Sequence, residues 1–249
     1  MDNKDNNQKK KNSFSSQDVR KTLHENLQFT AKEQYKLMRA NLGFTLPEGV
    51  KCPIIGITSA NRSEGKSTTS INVAYVLAES GKRVLLIDGD LRVPSIAKKM
   101  EIEKTPGVTD LLMGHEVPDF GVFRSKILDN WYIVPSGNLP PNPSELLGSR
   151  RMKSLLTTLA EKFDYIIVDL PPVNLVSDAL AISPLITGMV VVVREDYAEK
   201  KEIEQCVRHL RLTNVKVLGW VFNRTKGGHD TYGSYRDYSR GYGAIKRAK

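Results

Sequence analysis

Cysteine is almost missing from this 249-residue chain, with only Cys52 and Cys206 present, so no disulfide framework can hold it together. A reducing compartment is the natural expectation. Long apolar runs are missing too. The longest, such as "GMVVVVR" at 188–194 and "YIIVDLPP" at 165–172, stop far short of the ~20 residues that a membrane-spanning helix needs. The opening "MDNKDNNQKKKNSFSS" is basic and polar with no apolar stretch behind it, unlike a secretory signal. The four histidines (His24, His115, His209, His229) show no metal-ligand spacing. No internal repeat is evident.

The net charge of +9 raises the question of nucleic acid, but its location weakens that reading. Residues 1–22 hold six Lys/Arg against three Asp (+3), and residues 224–249 hold seven against two (+5), which leaves +1 for the body. A body without a basic face fits solvated basic ends better than a nucleic-acid groove, and no nucleic-acid partner is expected.

What is present is a strand–helix rhythm. "PIIGITSA" (53–60), "KRVLLIDGD" (82–90), "NWYIVPSG" (130–137), "YIIVDL" (165–170), "GMVVVV" (188–193) and "VKVLGWVFN" (215–223) read as strands, the later ones as runs buried on both faces. Helices are expected over about 66–79 and 149–163, and in the segment where Ile203, Cys206, Val207 and Leu210 recur at helical spacing. The pattern predicts an α/β fold: a mostly parallel sheet with helices on both faces, in three layers. Its domain spans 28–225, between a basic N-terminal segment (1–27) and a tyrosine-rich tail (226–249) expected to be flexible.

"ANRSEGKS" (60–67) falls between the first strand and the first helix, and fits G/A-x-x-x-x-G-K-[ST] with Ala60 at the first position. In such a loop Ala60, Asn61, Ser63, Glu64, Gly65, Lys66, Ser67 and Thr68 would surround a nucleotide's phosphates. Backbone N–H groups would face the oxygens, Lys66 would neutralise charge and Ser67 would ligate Mg²⁺. Asp169 ends the strand "YIIVDL", where a carboxylate reaches the metal. Asp88 and Asp90 follow the second strand, so three carboxylates are expected to converge above the loop, a repulsive set that calls for cations. The tenant this predicts is ATP with Mg²⁺, the metal being held by Ser67, Asp88 and Asp169.

"LLIDGDLRVP" (85–94) resembles the Walker A′ motif of the bacterial tyrosine kinases, and "VPSGNLPPNPSELL" (134–147) and "VDLPPVNLVSDA" (168–179) resemble that family's other signature stretches. The resemblance runs from about residue 28 to the C-terminus. Related partition and division-site ATPases share the P-loop architecture and remain the alternative, as switches without kinase activity. They carry a lysine where this chain has Asn61, and they lack a tyrosine cluster.

The resemblance implies an ATP-dependent tyrosine autokinase. Its substrates would be Tyr232, Tyr235, Tyr238 and Tyr242 of a neighbouring subunit's tail. Lys66, Asp88 and Asp90 would be catalytic, with Asp88 accepting the phenolic proton and Asp90 supporting metal or geometry. Asn223 matches the family position that contacts adenine; a polar strand cap is the alternative. Asp178 matches a family aspartate, or caps a helix. Glu33, Lys36 and Arg39 resemble the family's E-x-x-R-x-x-R oligomerisation motif with Lys36 in place of the first arginine, and imply a homo-oligomeric ring. A transmembrane adaptor that activates the kinase in capsular or extracellular polysaccharide synthesis and export, a cognate phosphatase and other phosphorylated substrates are implied in the same way. The protein would then be cytoplasmic, held at the inner face of the membrane by its adaptor.

Overall fold

A computed structural model describes residues 23–225. Its centre is a seven-stranded sheet. In chain order the strands are β1 (Ile54–Ser59), β2 (Val84–Asp88), β3 (Phe123–Arg124), β4 (Trp131–Val134), β5 (Tyr165–Asp169), β6 (Gly188–Arg194) and β7 (Val217–Asn223). They lie side by side as β3-β4-β2-β5-β1-β6-β7, and every pair is parallel except β3 with β4. The short antiparallel β3 was not anticipated; its two residues carry no pattern of their own.

Side chains along each inner strand alternate between two cores, as the pleat requires. Ile55, Ile57, Leu86, Ile167, Val190 and Val192 face helices α1 (Phe29–Thr45) and α2 (Lys66–Glu79). Leu85, Ile87, Ile166, Val168, Val191 and Val193 face the opposite layer, where α6 (Arg150–Ala160) contributes Met152, Leu155, Leu156 and Leu159, and α8 (Lys200–Leu212) contributes Cys206 and Leu210. Short helices α3 (Ile96–Met100), α4 (Val108–Met113), α5 (Pro143–Leu147) and α7 (Asp178–Ile182) complete the described α-helices. Ser149 begins α6 by accepting the Met152 N–H at 3.1 Å, a side-chain cap.

Helix α2 is buried almost all round, because the sheet lies under it and α1 lies over it. Arg39 of α1 donates to the Val76 carbonyl at 2.7 Å, satisfying one of the acceptors left open in the last turn of α2, and Lys32 pairs with Glu79 at 2.8 Å. Leu23 is fully buried in this layer, so packing begins ahead of the expected boundary at residue 28.

One expectation is corrected at the edge. The 215–223 run reads as a strand covered on both faces, but β7 pairs only with β6, and Trp220 and Phe222 are 37% and 65% exposed. Apolar composition shows that a strand forms; its place at the rim decides how much is covered.

Candidate functional site

The parallel sheet delivers the carboxyl ends of β1, β2 and β5 to one rim, and the loop from β1 into α2 crosses it. Gly65 adopts φ +101°, a left-handed turn that glycine tolerates, and a Cβ there would stand 2.0 Å from Asn223 Nδ2. The next residue, Lys66, starts α2, so the first-turn N–H groups and the positive end of the helix face the loop's concavity. Ser67 is buried in that first turn, and Thr68 is half-buried beside it.

The acidic residues sit at the strand ends. Asp88 and Asp169 are register partners across β2 and β5, both fully buried. Asp88 Oδ2 accepts the N–H groups of Ser95 and Ile96 at 3.2 and 3.0 Å, while its Oδ1 has no partner. Asp169 Oδ1 accepts the Ser70 hydroxyl at 2.9 Å, and its Oδ2 has no partner. Asp90 Oδ2 holds the Lys66 ammonium at 2.6 Å, and its Oδ1 accepts the Val93 N–H at 3.0 Å. Burial first, then the Asp169 carboxylate beside it, pushes Asp88 up to about 8. Burial also raises Asp169, against the pull of Lys66. Burial works against the charge of Lys66, but Asp169, Asp90 and Asp88 outweigh it and hold the ammonium above its ordinary value.

Two buried carboxylate oxygens without donors, next to a first-turn serine, suit a hard cation. Mg²⁺ takes one or two carboxylates and fills its remaining positions with phosphate and water. The donor set therefore fits Mg²⁺ with a polyphosphate. As expected, Asp88, Asp90 and Asp169 come together: all three act on the Lys66 ammonium, and Asp90 holds it directly; among the described residues no three or more His, Cys, Asp or Glu form a metal cage by themselves.

The rest of the loop is held from behind. Ala60 is buried, Asn61 accepts the Ser59 hydroxyl at 2.6 Å through its carbonyl, and the Ser63 carbonyl accepts from Arg194 at 3.4 Å. Glu64 is fully buried. Asn223 lies at the loop as well, but its Nδ2 donates to the Glu64 carbonyl at 2.8 Å, a contact with the chain itself that the strand-end position did not foretell.

Asp178 is not acting as a helix cap. The residue before α7 is Ser177, with no capping bond, and the buried Asp178 carboxylate instead takes Arg92 Nε and Nη2 at 2.8 and 3.0 Å and the Ser144 hydroxyl. Three separated stretches, 85–94, 134–147 and 168–179, thus meet at one carboxylate. This cluster was missed because a charged residue in a loop does not show its partner. Lys99 on α3 is another omission: burial lowers its proton affinity, with Lys66 repelling it and Asp169 and Asp88 acting the other way.

Glu33, Lys36 and Arg39 lie together on α1. Lys36 bonds Glu33 at 2.7 Å within the helix, and Arg39 is engaged with α2. Tyr232, Tyr235, Tyr238 and Tyr242 lie outside the described residues.

The profile of a family described as AAA domain matches residues 53–218. Tyrosine-protein kinase YwqD of Bacillus subtilis is 37% identical over 206 residues, covering 82% of this chain and 85% of that protein. Tyrosine-protein kinase CpsD of Streptococcus pneumoniae serotype 4 is 35% identical over 204 residues, covering 82% and 88%. Among solved structures, the chimerical protein CapA2B2 superposes with a TM-score of 0.77 at 31% identity, covering 86% of this chain and 92% of that one.

Proposed function

Because the chain belongs to the bacterial protein-tyrosine kinase family, we propose that it transfers the γ-phosphoryl group of ATP to Tyr232, Tyr235, Tyr238 and Tyr242, the tail of one subunit entering the site of its neighbour. The observation that carries this reading is the pairing at one rim of a phosphate-binding loop with Asp88, a buried carboxylate that has one free oxygen and a raised proton affinity.

Tyrosine, with pKa ~10, is almost wholly protonated at neutral pH and needs a base as its oxygen attacks. An ordinary carboxylate is a weak base for that task. Asp88, pushed up to about 8, lies much closer to the phenol, and in its ionised form Oδ1, which has no donor, would take the proton. Of the two roles the resemblance assigns it, metal ligand and base, the raised proton affinity favours the second. The phenolic oxygen would form a bond to the γ-phosphorus as the bond to the bridging oxygen breaks; the proton goes to Asp88 and ADP leaves.

Lys66 would leave Asp90 for the phosphate oxygens, so Asp90 stores the ammonium until substrate arrives. Ser67 and Asp169 would hold Mg²⁺, whose charge would shield the phosphates and stabilise charge at the transferred group. Arg92, locked to Asp178, holds the segment after Asp90 in place. Asn223 would lie beside adenine while bracing the loop.

The resemblance extends the proposal to biology: a ring of subunits assembled through Glu33, Lys36 and Arg39, and control of capsular or extracellular polysaccharide export through a membrane adaptor and a phosphatase. No helix among the described residues is long and apolar enough to cross a membrane, which is compatible with recruitment by such an adaptor.

Incubation of the full chain with Mg-ATP and a peptide from the adaptor's cytoplasmic end, followed by mass spectrometry of the tail, tests the reading. Phosphotyrosine is expected in residues 226–249, and its loss is expected in Lys66→Met with the fold intact by circular dichroism. Hydrolysis of ATP without label on any of the four tyrosines would move the chain to the partition-type switch.

A further inference from the structure

Glu64 belongs to the phosphate loop, yet its side chain turns away from the phosphates. The residue is fully buried, and its carboxylate folds back under the front of its own loop. Oε2 accepts the Asn61 N–H at 3.2 Å. The main chain of the same residue is held from the other side, where Asn223 at the end of β7 donates to the Glu64 carbonyl at 2.8 Å. Gly65, in its left-handed turn, and Lys66 follow immediately.

A third segment closes behind the carboxylate. Glu202 and Cys206 of α8 lie close enough to feel its charge. Asn174, in the loop after β5, donates its backbone N–H to the Ala60 carbonyl at 3.3 Å and its side-chain amide to the Glu202 carbonyl at 2.8 Å. One buried oxygen on each of Glu64 and Asn174, Oε1 and Oδ1, has no partner. Asn174 thus ties the start of the loop to the first turn of α8.

The loop has an accounting problem that this arrangement solves. Its N–H groups at the start of α2 must stay free for phosphate, whereas the Asn61 N–H is turned toward the buried Glu64 carboxylate. A buried donor needs an acceptor. A side chain three residues on, with two methylenes to span the turn, supplies it.

We infer that Glu64 is a positioning residue: its side chain braces the turn from Asn61 to Gly65 from beneath, so that the following N–H groups stay aimed at the nucleotide. The role depends on hydrogen-bond acceptance and reach. Negative charge is incidental to it, since a buried anion under a triphosphate opposes binding. Glutamine, which keeps an acceptor oxygen at the same reach, should restore most of what alanine loses. Aspartate, one methylene shorter, should not.

The inference rests on reading the loop as a nucleotide site, so the test has two arms on the full chain. Amide hydrogen exchange across residues 59–66 without nucleotide reads the brace; fluorescence titration with a methylanthraniloyl-ATP analogue and Mg²⁺ reads its consequence. In Glu64→Ala and Glu64→Asp, exchange in 59–66 should accelerate and the analogue's Kd should rise, each by about ten-fold or more, the effect of one buried donor losing its acceptor. The KM for ATP should rise by the same factor, with kcat at saturation little changed. Glu64→Gln should stay within about three-fold of the parent on both arms. Parent-like exchange in Glu64→Asp overturns the brace, and Glu64→Gln as impaired as Glu64→Asp shows that charge was the essential property and also overturns it. Should Glu64→Ala fail to fold, the Asp and Gln pair decides alone. If the parent chain itself does not bind the analogue, the nucleotide reading fails, while the exchange arm still judges the brace.

Discussion

Replacing Asp88 by asparagine should stabilise the metal-free protein while abolishing phosphoryl transfer. Asp88 is fully buried, and its carboxylate is pushed up to about 8 by burial, by Asp169 and by Asp90. In the unfolded chain an aspartate titrates near ~3.9, so between about pH 4 and pH 8 the folded state binds more protons than the unfolded state. Stability is therefore lost as pH rises through this interval, by up to about 1.4 kcal/mol per unit, and levels off above it. At pH 7 the interval traversed is about three units, an upper value of roughly 4 kcal/mol for Asp88 alone. Asparagine keeps an oxygen to accept the Ser95 and Ile96 N–H groups and carries no charge, so it escapes this penalty. The expected gain is about 2–4 kcal/mol at pH 7 and close to zero at pH 4. Urea unfolding in chelator, with parent and variant compared at pH 4.5, 6, 7 and 8, reads it directly. An Asn variant that is less stable at pH 7, or a difference that does not grow with pH, would refute the account of Asp88 as a carboxyl whose ionisation its surroundings oppose.

Other outcomes follow from the same geometry. Gly65→Ala should weaken nucleotide binding and cost about 2–3 kcal/mol, from the left-handed φ and the displaced Asn223 amide; adding Asn223→Ala should remove the collision but not the backbone strain, and calorimetry on the single and double variants separates them. Arg92→Ala strands the Asp178 carboxylate with Ser144 alone and should cost about 2–4 kcal/mol, more than Asp178→Asn, as measured by denaturant midpoints. Four phosphotyrosines would add about −6 to −8 to a tail segment that carries +5, inverting its sign. Light scattering should then find a higher oligomer for Lys66→Met and a monomer for the fully phosphorylated chain; equal masses would defeat the switch.

Much of this chain was legible in one dimension. Continuous β-branched runs, a loop with glycine and lysine at fixed spacing and a helix directly behind it specify parallel strands and a phosphate-binding turn, because backbone sterics and side-chain burial act over neighbouring residues. The helix expected over 66–79 forms over those residues, and Asp88 and Asp169 end strands as their flanking apolar runs require. What the sequence by itself could not determine is who meets whom across the sheet. Strand order buries Asp88 and Asp169 side by side; burial raises the proton affinity of both, and the Asp169 charge raises Asp88 further, a property of neither segment alone. It also leaves β7 at the rim with Phe222 exposed, brings Arg92 to Asp178 across 86 positions, and turns the buried Glu64 side chain back onto Asn61 of its own loop. Local pattern records a residue's own preference for water or for a backbone angle; a charge's energy depends on what lies within a few ångströms, and only the folded chain decides that.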